Sequence, residues 1–136
     1  GCGSGVLAIA VARVLPHARI WASDLDDQSV VVAKANMIAN GVGRRITAVV
    51  AAGLDHPALR QVADYDLMIA NILAGPLITL SKSLAAKVAS GGTLILSGLL
   101  TPQAQQVIAA YRASGFALVD HDRVYGWSTL TLAKLA

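Results

Sequence analysis

Cysteine, aromatic residues and charge are all scarce in this sequence of 136 residues. Its single cysteine, Cys2, excludes an internal disulfide and is typical of a reducing compartment, so we expect a cytoplasmic protein. Only 14% of the residues are charged and 4% are aromatic, whereas 55% are hydrophobic. So much apolar surface argues against disorder and is typical of an α/β domain whose strands are covered on both faces.

Long uncharged apolar runs and basic clusters are also missing. No stretch reaches the roughly 18 residues of a membrane span, because the run Val6–Leu15 contains Arg13 and stops at Pro16. The net charge is +3, but the basic residues are scattered and no aromatic residues alternate with them. We therefore expect no membrane contact and no direct nucleic-acid partner, and we assign no metal ligands.

Apolar periodicity and turn residues predict alternating helices and strands. Helices are predicted at Val6–Leu15, from Asp26 or Asp27 to Asn40-Gly41, from Pro76 to Ser90-Gly91-Gly92 and from Thr101-Pro102 to Gly115, with one helical turn near Ala58–Val62. In the helix from Pro76, the residues that share one apolar face are Leu77, Leu80, Leu84 and Val88. Strands are predicted at Ala18–Ser23, Ile46–Ala52, Tyr65–Ala70, Thr93–Ser97, Phe116–Tyr125 and Trp127–Leu135.

This order predicts one α/β domain over residues 1–136. Strands that alternate with helices favour a mainly parallel sheet with helices on both faces. Only Gly126 separates the last two strands, which predicts an antiparallel hairpin at the C-terminal end.

The segment Gly1-Cys2-Gly3-Ser4-Gly5 directly precedes the first apolar helix. Glycines at alternate positions allow a tight turn and the close approach of a ligand. The helix that follows directs its free N–H groups toward such a ligand. This pattern predicts a loop that binds a nucleotide-type cofactor. Cys2 is interpreted as a small loop residue rather than a nucleophile, because no histidine lies near it in sequence.

Two further polar residues fall at the ends of predicted strands, where open α/β sheets bind ligands. Asp24 lies 19 positions after Gly5, and an acid about 20 residues after a glycine loop is the usual ribose ligand. Asn71 ends the strand Tyr65–Ala70. The alternatives are that Asp24 only caps a helix and that Asn71 is only a turn residue.

The spacing of the glycines indicates the class of cofactor. The loop is G-x-G-x-G, whereas dinucleotide loops are G-x-G-x-x-G, so an oxidoreductase is disfavoured. The Gly-Lys-Ser/Thr of NTPase loops is absent. A G-x-G-x-G loop followed by a ribose-binding acid resembles the class I S-adenosylmethionine-dependent methyltransferases, whose fold is Rossmann-like.

Longer strings narrow this resemblance. GCGSGVLAIA at the start, NILAGPL from Asn71 to Leu77, LSGLL from Leu96 to Leu100, Gln103-Ala104 and Trp127 are similar to the PrmA family, which methylates a protein of the large ribosomal subunit. The resemblance covers nearly all 136 residues with the elements in order.

The resemblance implies roles for individual residues. Gly1, Gly3 and Gly5 would hold the methionine part of S-adenosylmethionine, and Asp24 would bind its ribose hydroxyls. Asn71 would line the site of methyl transfer and act as the catalytic residue by orienting the substrate amine. The substrates would be lysine side chains and the N-terminal α-amine of the ribosomal protein. No general base is evident, and His56 and His121 are candidates by residue type alone.

Relative to the family, the first strand of the fold, which precedes the loop, and the N-terminal substrate-recognition domain are absent. The sequence is therefore expected to be an N-terminally truncated catalytic domain. Because a missing central strand exposes unpaired backbone groups, we expect the chain alone to be unstable, to dimerise or to aggregate. The alternative functions are a non-catalytic Rossmann-like cofactor-binding or assembly module, and a related methyltransferase with another substrate.

Overall fold

A computed structural model describes all 136 residues. The chain forms two compact units, Gly1–Gln61 and Val62–Ala136. The hydrogen-bonded strands form two sheets, and each sheet belongs to one unit.

The N-terminal unit contains a parallel pair of strands and three helices. Its elements are α1 (Val6–Val14), β1 (Ile20–Asp24), α2 (Asp27–Ala39), β2 (Ile46–Val50) and the short α3 (Pro57–Arg60). In the parallel pair, Ile20 lies opposite Ile46 and Asp24 lies opposite Val50. Small and flexible apolar side chains fill its core, among them Ala12, Ala22, Val30, Ala33, Met37 and Ala48.

Local sequence sets the ends of α2. The side chain of Asp26 accepts a hydrogen bond from the Ser29 N–H at 2.8 Å, which satisfies one of the free donors of the first turn. At the other end Asn40 is the C-cap and Gly41 follows with positive φ. The predicted cap and stop of this helix are confirmed.

The C-terminal unit has a four-stranded mixed sheet. Its elements are β3 (Tyr65–Asn71), α4 (Ala74–Thr79), α5 (Ser81–Ala85), β4 (Val88–Leu100), α6 (Ala104–Ala113), β5 (Phe116–Val124) and β6 (Trp127–Lys134). The strand order is β3-β4-β6-β5. β3 and β4 are parallel, whereas β6 runs antiparallel to both of its neighbours. The predicted C-terminal hairpin is therefore confirmed.

The core of this unit lies between α6 and the sheet. Tyr111 is fully buried, and its hydroxyl donates a hydrogen bond to the Leu77 carbonyl at 2.9 Å. Its ring packs edge-to-face on Phe116, with 5.9 Å between the ring centres. Burial raises the pKa of Tyr111, so it remains a neutral hydrogen-bond donor.

One predicted element is wrong. The helix expected from Pro76 through Val88 is replaced by α4 and α5, with the break at Leu80, and Val88 already belongs to β4. The Tyr65 N–H donates to the Lys87 carbonyl at 2.8 Å, so pairing with β3 overrides the helical spacing of the leucines.

The predicted strand Thr93–Ser97 is correspondingly too short. The register of β3 against β4 shifts between Tyr65–Val88 and Leu67–Thr93, so the glycine pair Gly91-Gly92 lies in an irregular part of β4 instead of ending a helix. No helix in the structure has the length and apolar character needed to cross a membrane.

Candidate functional site

The glycine loop is a tight turn held against the end of β1. The Gly5 N–H donates to the Cys2 carbonyl at 2.9 Å, and the Cys2 N–H donates to the Ser23 carbonyl at 2.8 Å. Gly5 has φ +84°, and a Cβ there would lie 3.2 Å from both Ala33 Cβ and Met37 Cε. Only glycine therefore lets α1 begin so close to α2.

Open space lies beside Gly3 in the same loop. Gly3 has φ +52°, and a Cβ built on it would meet no heavy atom within 4 Å. Gly5, the N-cap of α1, provides no side-chain hydrogen bond to the first turn of the helix. The first turn of α1 therefore has N–H groups without a side-chain cap, which suits a polar or anionic ligand group.

Asp24 organises this loop and keeps acceptor capacity. Its Oδ2 accepts a hydrogen bond from the Gly3 N–H at 2.8 Å, and its Oδ1 accepts one from the Asp26 N–H at 3.0 Å. Partial burial raises the pKa of Asp24, but these backbone hydrogen bonds outweigh it and hold the pKa below the usual value. The carboxylate is therefore ionised at neutral pH, and each oxygen retains a lone pair for a further donor.

The alternative role proposed for Asp24 is wrong, because Asp26 is the residue that caps α2. Cys2 fits its interpretation as a small loop residue. It packs against the apolar core of the N-terminal unit, and burial raises the pKa of its thiol, so it is not an activated nucleophile.

Asn71 is the last residue of β3, at the carboxyl end of the parallel pair β3–β4 in the C-terminal unit. It lies opposite Ser97, and the following Ile72 N–H donates to the Ser97 carbonyl at 3.2 Å. The Asn71 side chain is exposed and has no hydrogen-bond partner within the chain. Both its amide oxygen and its NH₂ group are therefore free to bind a ligand.

The two histidines considered as general bases have structural hydrogen bonds. His56 is the N-cap of α3, where its Nδ1 accepts from the Ala58 N–H at 3.1 Å. His121 lies on β5, where Arg123 Nη2 is 2.9 Å from its Nδ1 and Ser128 Oγ is 2.8 Å from its Nε2. Arginine can only donate, so Nδ1 accepts and the ring proton is on Nε2.

This tautomer completes a short chain of hydrogen bonds. His121 Nε2–H donates to the buried Ser128 Oγ, and the Ser128 hydroxyl donates to Thr101 Oγ1 at 3.1 Å. Partial burial and the charge of Arg123 lower the pKa of His121, which favours the neutral ring. These hydrogen bonds tie the turn end of the β5–β6 hairpin to Thr101, the residue that follows β4.

Sequence reasoning did not predict the surroundings of Asn71. Gly98 follows the residue opposite Asn71 and contacts the chain just after β3. An isolated glycine in the apolar strand run LILSGLL is typical of a bulge or a close backbone approach, and this was the available signal. The structure contains no group of three or more metal-ligating side chains.

The sequence model of the family described as "Ribosomal protein L11 methyltransferase (PrmA)" matches residues 1–135. A protein of that name from Rhodopseudomonas palustris (strain BisB5) is 50% identical over 134 residues, which cover 98% of this chain and 45% of the relative. One from Bradyrhizobium diazoefficiens is 47% identical over 135 residues, again 45% of its length. The chain thus spans about half the length of the curated relatives it matches.

A solved structure agrees with these sequence matches. The crystal structure of a ribosomal protein L11 methylase from Lactobacillus delbrueckii subsp. bulgaricus superposes with a TM-score of 0.86 at 31% identity. The superposition covers 100% of this chain and 67% of that protein. The predicted α/β methyltransferase fold is confirmed, and this chain belongs to the PrmA family of ribosomal protein methyltransferases.

Proposed function

We propose that residues 1–136 form the catalytic domain of an S-adenosylmethionine-dependent N-methyltransferase that acts on a protein of the large ribosomal subunit. Its substrate amines would be lysine side chains and the N-terminal α-amine. Membership of the PrmA family and the names of its relatives, ribosomal protein L11 methyltransferases, support this proposal. The proposed reaction needs neither a membrane nor direct contact with nucleic acid, and cytoplasm is its expected location.

The hydrogen bond from Gly3 to Asp24 is the observation that carries the proposal. It fixes the glycine loop beside an ionised carboxylate whose oxygens each keep a free lone pair. A vicinal diol offers two O–H donors, which match two such acceptors. The open space at Gly3 leaves room for a ligand group where any side chain would intrude. These features fit the ribose and the amino-acid portion of S-adenosylmethionine.

Asn71 is the proposed positioning group for the substrate amine. When bound, S-adenosylmethionine supplies a sulfonium methyl that is already strongly electrophilic, so the protein chiefly has to orient the amine. The free amide oxygen of Asn71 can accept an N–H from a neutral amine and thereby direct the nitrogen lone pair. A lysine amine is charged at neutral pH and must lose a proton first. Because His56 and His121 are engaged in structural hydrogen bonds, we assign no general base.

Transfer of a radiolabelled methyl group to the purified ribosomal protein tests this proposal. A folded wild-type chain should label amines of the substrate, and Asn71→Ala should lower kcat about a hundredfold, as expected for a lost positioning contact. Binding of S-adenosylhomocysteine should be retained in that variant, because its proposed ribose and loop contacts lie at Gly3 and Asp24.

The alternatives predict different outcomes. Cofactor binding without transfer to any amine would contradict the proposal and support a non-catalytic module. Transfer to other acceptors but not to the ribosomal protein would indicate a related methyltransferase with another substrate. Unchanged turnover in Asn71→Ala would remove the assigned role of that residue.

A further inference from the structure

β4 is interrupted at its carboxyl end by a bulge centred on Gly98. The strand pairs with β3 as far as Ser97 opposite Asn71, and its register against β6 shifts between Leu96 and Leu99. Gly98 has φ +83°, a backbone conformation that residues other than glycine rarely adopt. The bulge turns the backbone of β4 toward the segment that follows β3.

The space beside Gly98 is filled by Asn71 and Ile72. A Cβ at Gly98 would lie 2.7 Å from Asn71 Oδ1, 2.8 Å from the Ile72 carbonyl oxygen and 3.0 Å from the Ile72 nitrogen. These distances are well below ordinary van der Waals contact. Two of the three atoms belong to the backbone, so a change of rotamer at Asn71 would not relieve the overlap.

We propose that Gly98 is a positioning residue that sets where the Asn71 amide is held. Its missing side chain lets the bulge of β4 pack directly on the Asn71–Ile72 segment. Any larger residue would displace that segment and move the Asn71 amide oxygen. The consequence for catalysis rests on the proposed function, in which that oxygen orients the substrate amine.

Gly91 offers a matched control in the same strand. It has φ +75°, close to that of Gly98, but a Cβ there would meet nothing within 4 Å. Gly91→Ala therefore introduces the same kind of backbone strain without a clash. Any difference between Gly98→Ala and Gly91→Ala reports the contact with Asn71 and Ile72.

The experiment compares the two alanine variants with wild type in methyl transfer, in calorimetric binding of S-adenosylhomocysteine and in thermal melting. Gly98→Ala should lower kcat about a hundredfold, as expected for a displacement near 1 Å. Its affinity for S-adenosylhomocysteine should stay within about twofold of wild type, since the proposed ribose contact is Asp24. Gly91→Ala, which adds strain without a clash, should show a smaller fall in melting temperature and an unchanged kcat.

A measurement without turnover separates this inference from the proposed function. The Asn71 side-chain NH₂ resonances, assigned by their loss in Asn71→Ala, should shift in Gly98→Ala and stay in place in Gly91→Ala. If they stay in place in both variants, or if kcat falls equally in both, Gly98 does not position Asn71. If the Asn71 resonances shift only in Gly98→Ala, but the wild-type chain transfers no methyl group, the positioning role of Gly98 is supported and the proposed function is contradicted.

Discussion

At the scale of single residues, the carboxylate of Asp24 links the glycine loop to the end of β1. Its two oxygens accept the N–H groups of Gly3 and Asp26, and this pairing holds its pKa below the usual value. The carboxylate that we assign to ribose binding therefore also holds the loop in place. A ligand that binds there meets acceptors that are already ordered, which limits the entropy lost on binding.

The two glycines of the loop should differ in their tolerance of a methyl group. Gly5→Ala places an alanine in the left-handed backbone region and also crowds Ala33 and Met37. We therefore expect a loss of about 2–4 kcal/mol in the free energy of unfolding. Gly3→Ala adds only the strain, about 1–2 kcal/mol. Urea denaturation of both variants measures this difference, and equal losses would contradict the close approach of α1 to α2.

His121 should titrate below the usual histidine pKa, because partial burial and Arg123 both oppose its charged form. Stability contributed by the neutral ring is then fully present above the unfolded-state pKa, about 6.5, and is lost as the pH falls through the lower folded-state value. Arg123→Gln removes one cause, so we expect the pKa of His121 to rise.

An NMR titration of the His121 ring in both proteins measures this shift directly. An identical His121 titration in wild type and variant would show that the arrangement around Nδ1 is wrong.

At the scale of elements, Arg45 holds the carboxyl end of α1. Its Nη1 donates to the Ala12 carbonyl at 2.5 Å, and its Nη2 donates to the Leu15 carbonyl at 2.7 Å. These carbonyls lie in and just after the last turn of the helix, where a cation is also favoured by the helix dipole. The guanidinium thus joins the segment before β2 to the helix that follows the glycine loop.

Removing this contact should destabilise the fold. We expect Arg45→Met to lower the free energy of unfolding by about 1.5–3 kcal/mol, the range for hydrogen bonds to charged groups. The exposed neighbour Arg44 is the control, and Arg44→Met should change stability by less than about 0.5 kcal/mol. Denaturant titration distinguishes the two variants, and equal effects would argue against a capping role for Arg45.

Local signals predicted some elements well and others poorly. The N-cap at Asp26 and the stop at Asn40-Gly41 depend on neighbouring residues, so sequence alone located α2 correctly. The helix predicted around Val88 was wrong because Tyr65 pairs with Lys87, a contact between positions distant in sequence. The leucines before Val88 have helical spacing, and this periodicity carries no information about a strand partner that competes for the same residues.

The same distinction applies to the candidate site. Asp24 could be predicted from its distance to the glycine loop, because that spacing reflects one β-α-β unit. The contact of Gly98 with Asn71 joins residues from different strands and depends on a bulge. No local rule gives the position of a bulge relative to a neighbouring strand, so this part of the site required the structure.

At the scale of the whole molecule, each sheet has an edge strand with one unpaired side, β1 in one sheet and β3 in the other. β1 pairs only with β2, and β3 pairs only with β4. The run Leu67–Ala70 of β3 carries no charged side chain that would oppose pairing with another strand. We therefore keep the prediction that the chain alone is unstable or self-associates.

Sedimentation velocity over a hundredfold range of protein concentration tests this expectation. Self-association through strand edges should raise the average sedimentation coefficient as concentration increases. A monomer at every concentration that also melts cooperatively would contradict the prediction.

Calorimetric binding of S-adenosylhomocysteine to the wild-type chain, Asp24→Ala and Asp27→Ala tests the central claim most directly. Asp27→Ala makes the same change of charge three residues away, on a side chain that is exposed in the first turn of α2. We predict that wild type and Asp27→Ala bind alike and that Asp24→Ala binds about 1.5–3 kcal/mol more weakly. Equal binding by all three proteins, or none by a folded wild-type chain, would contradict the assignment of the cofactor site.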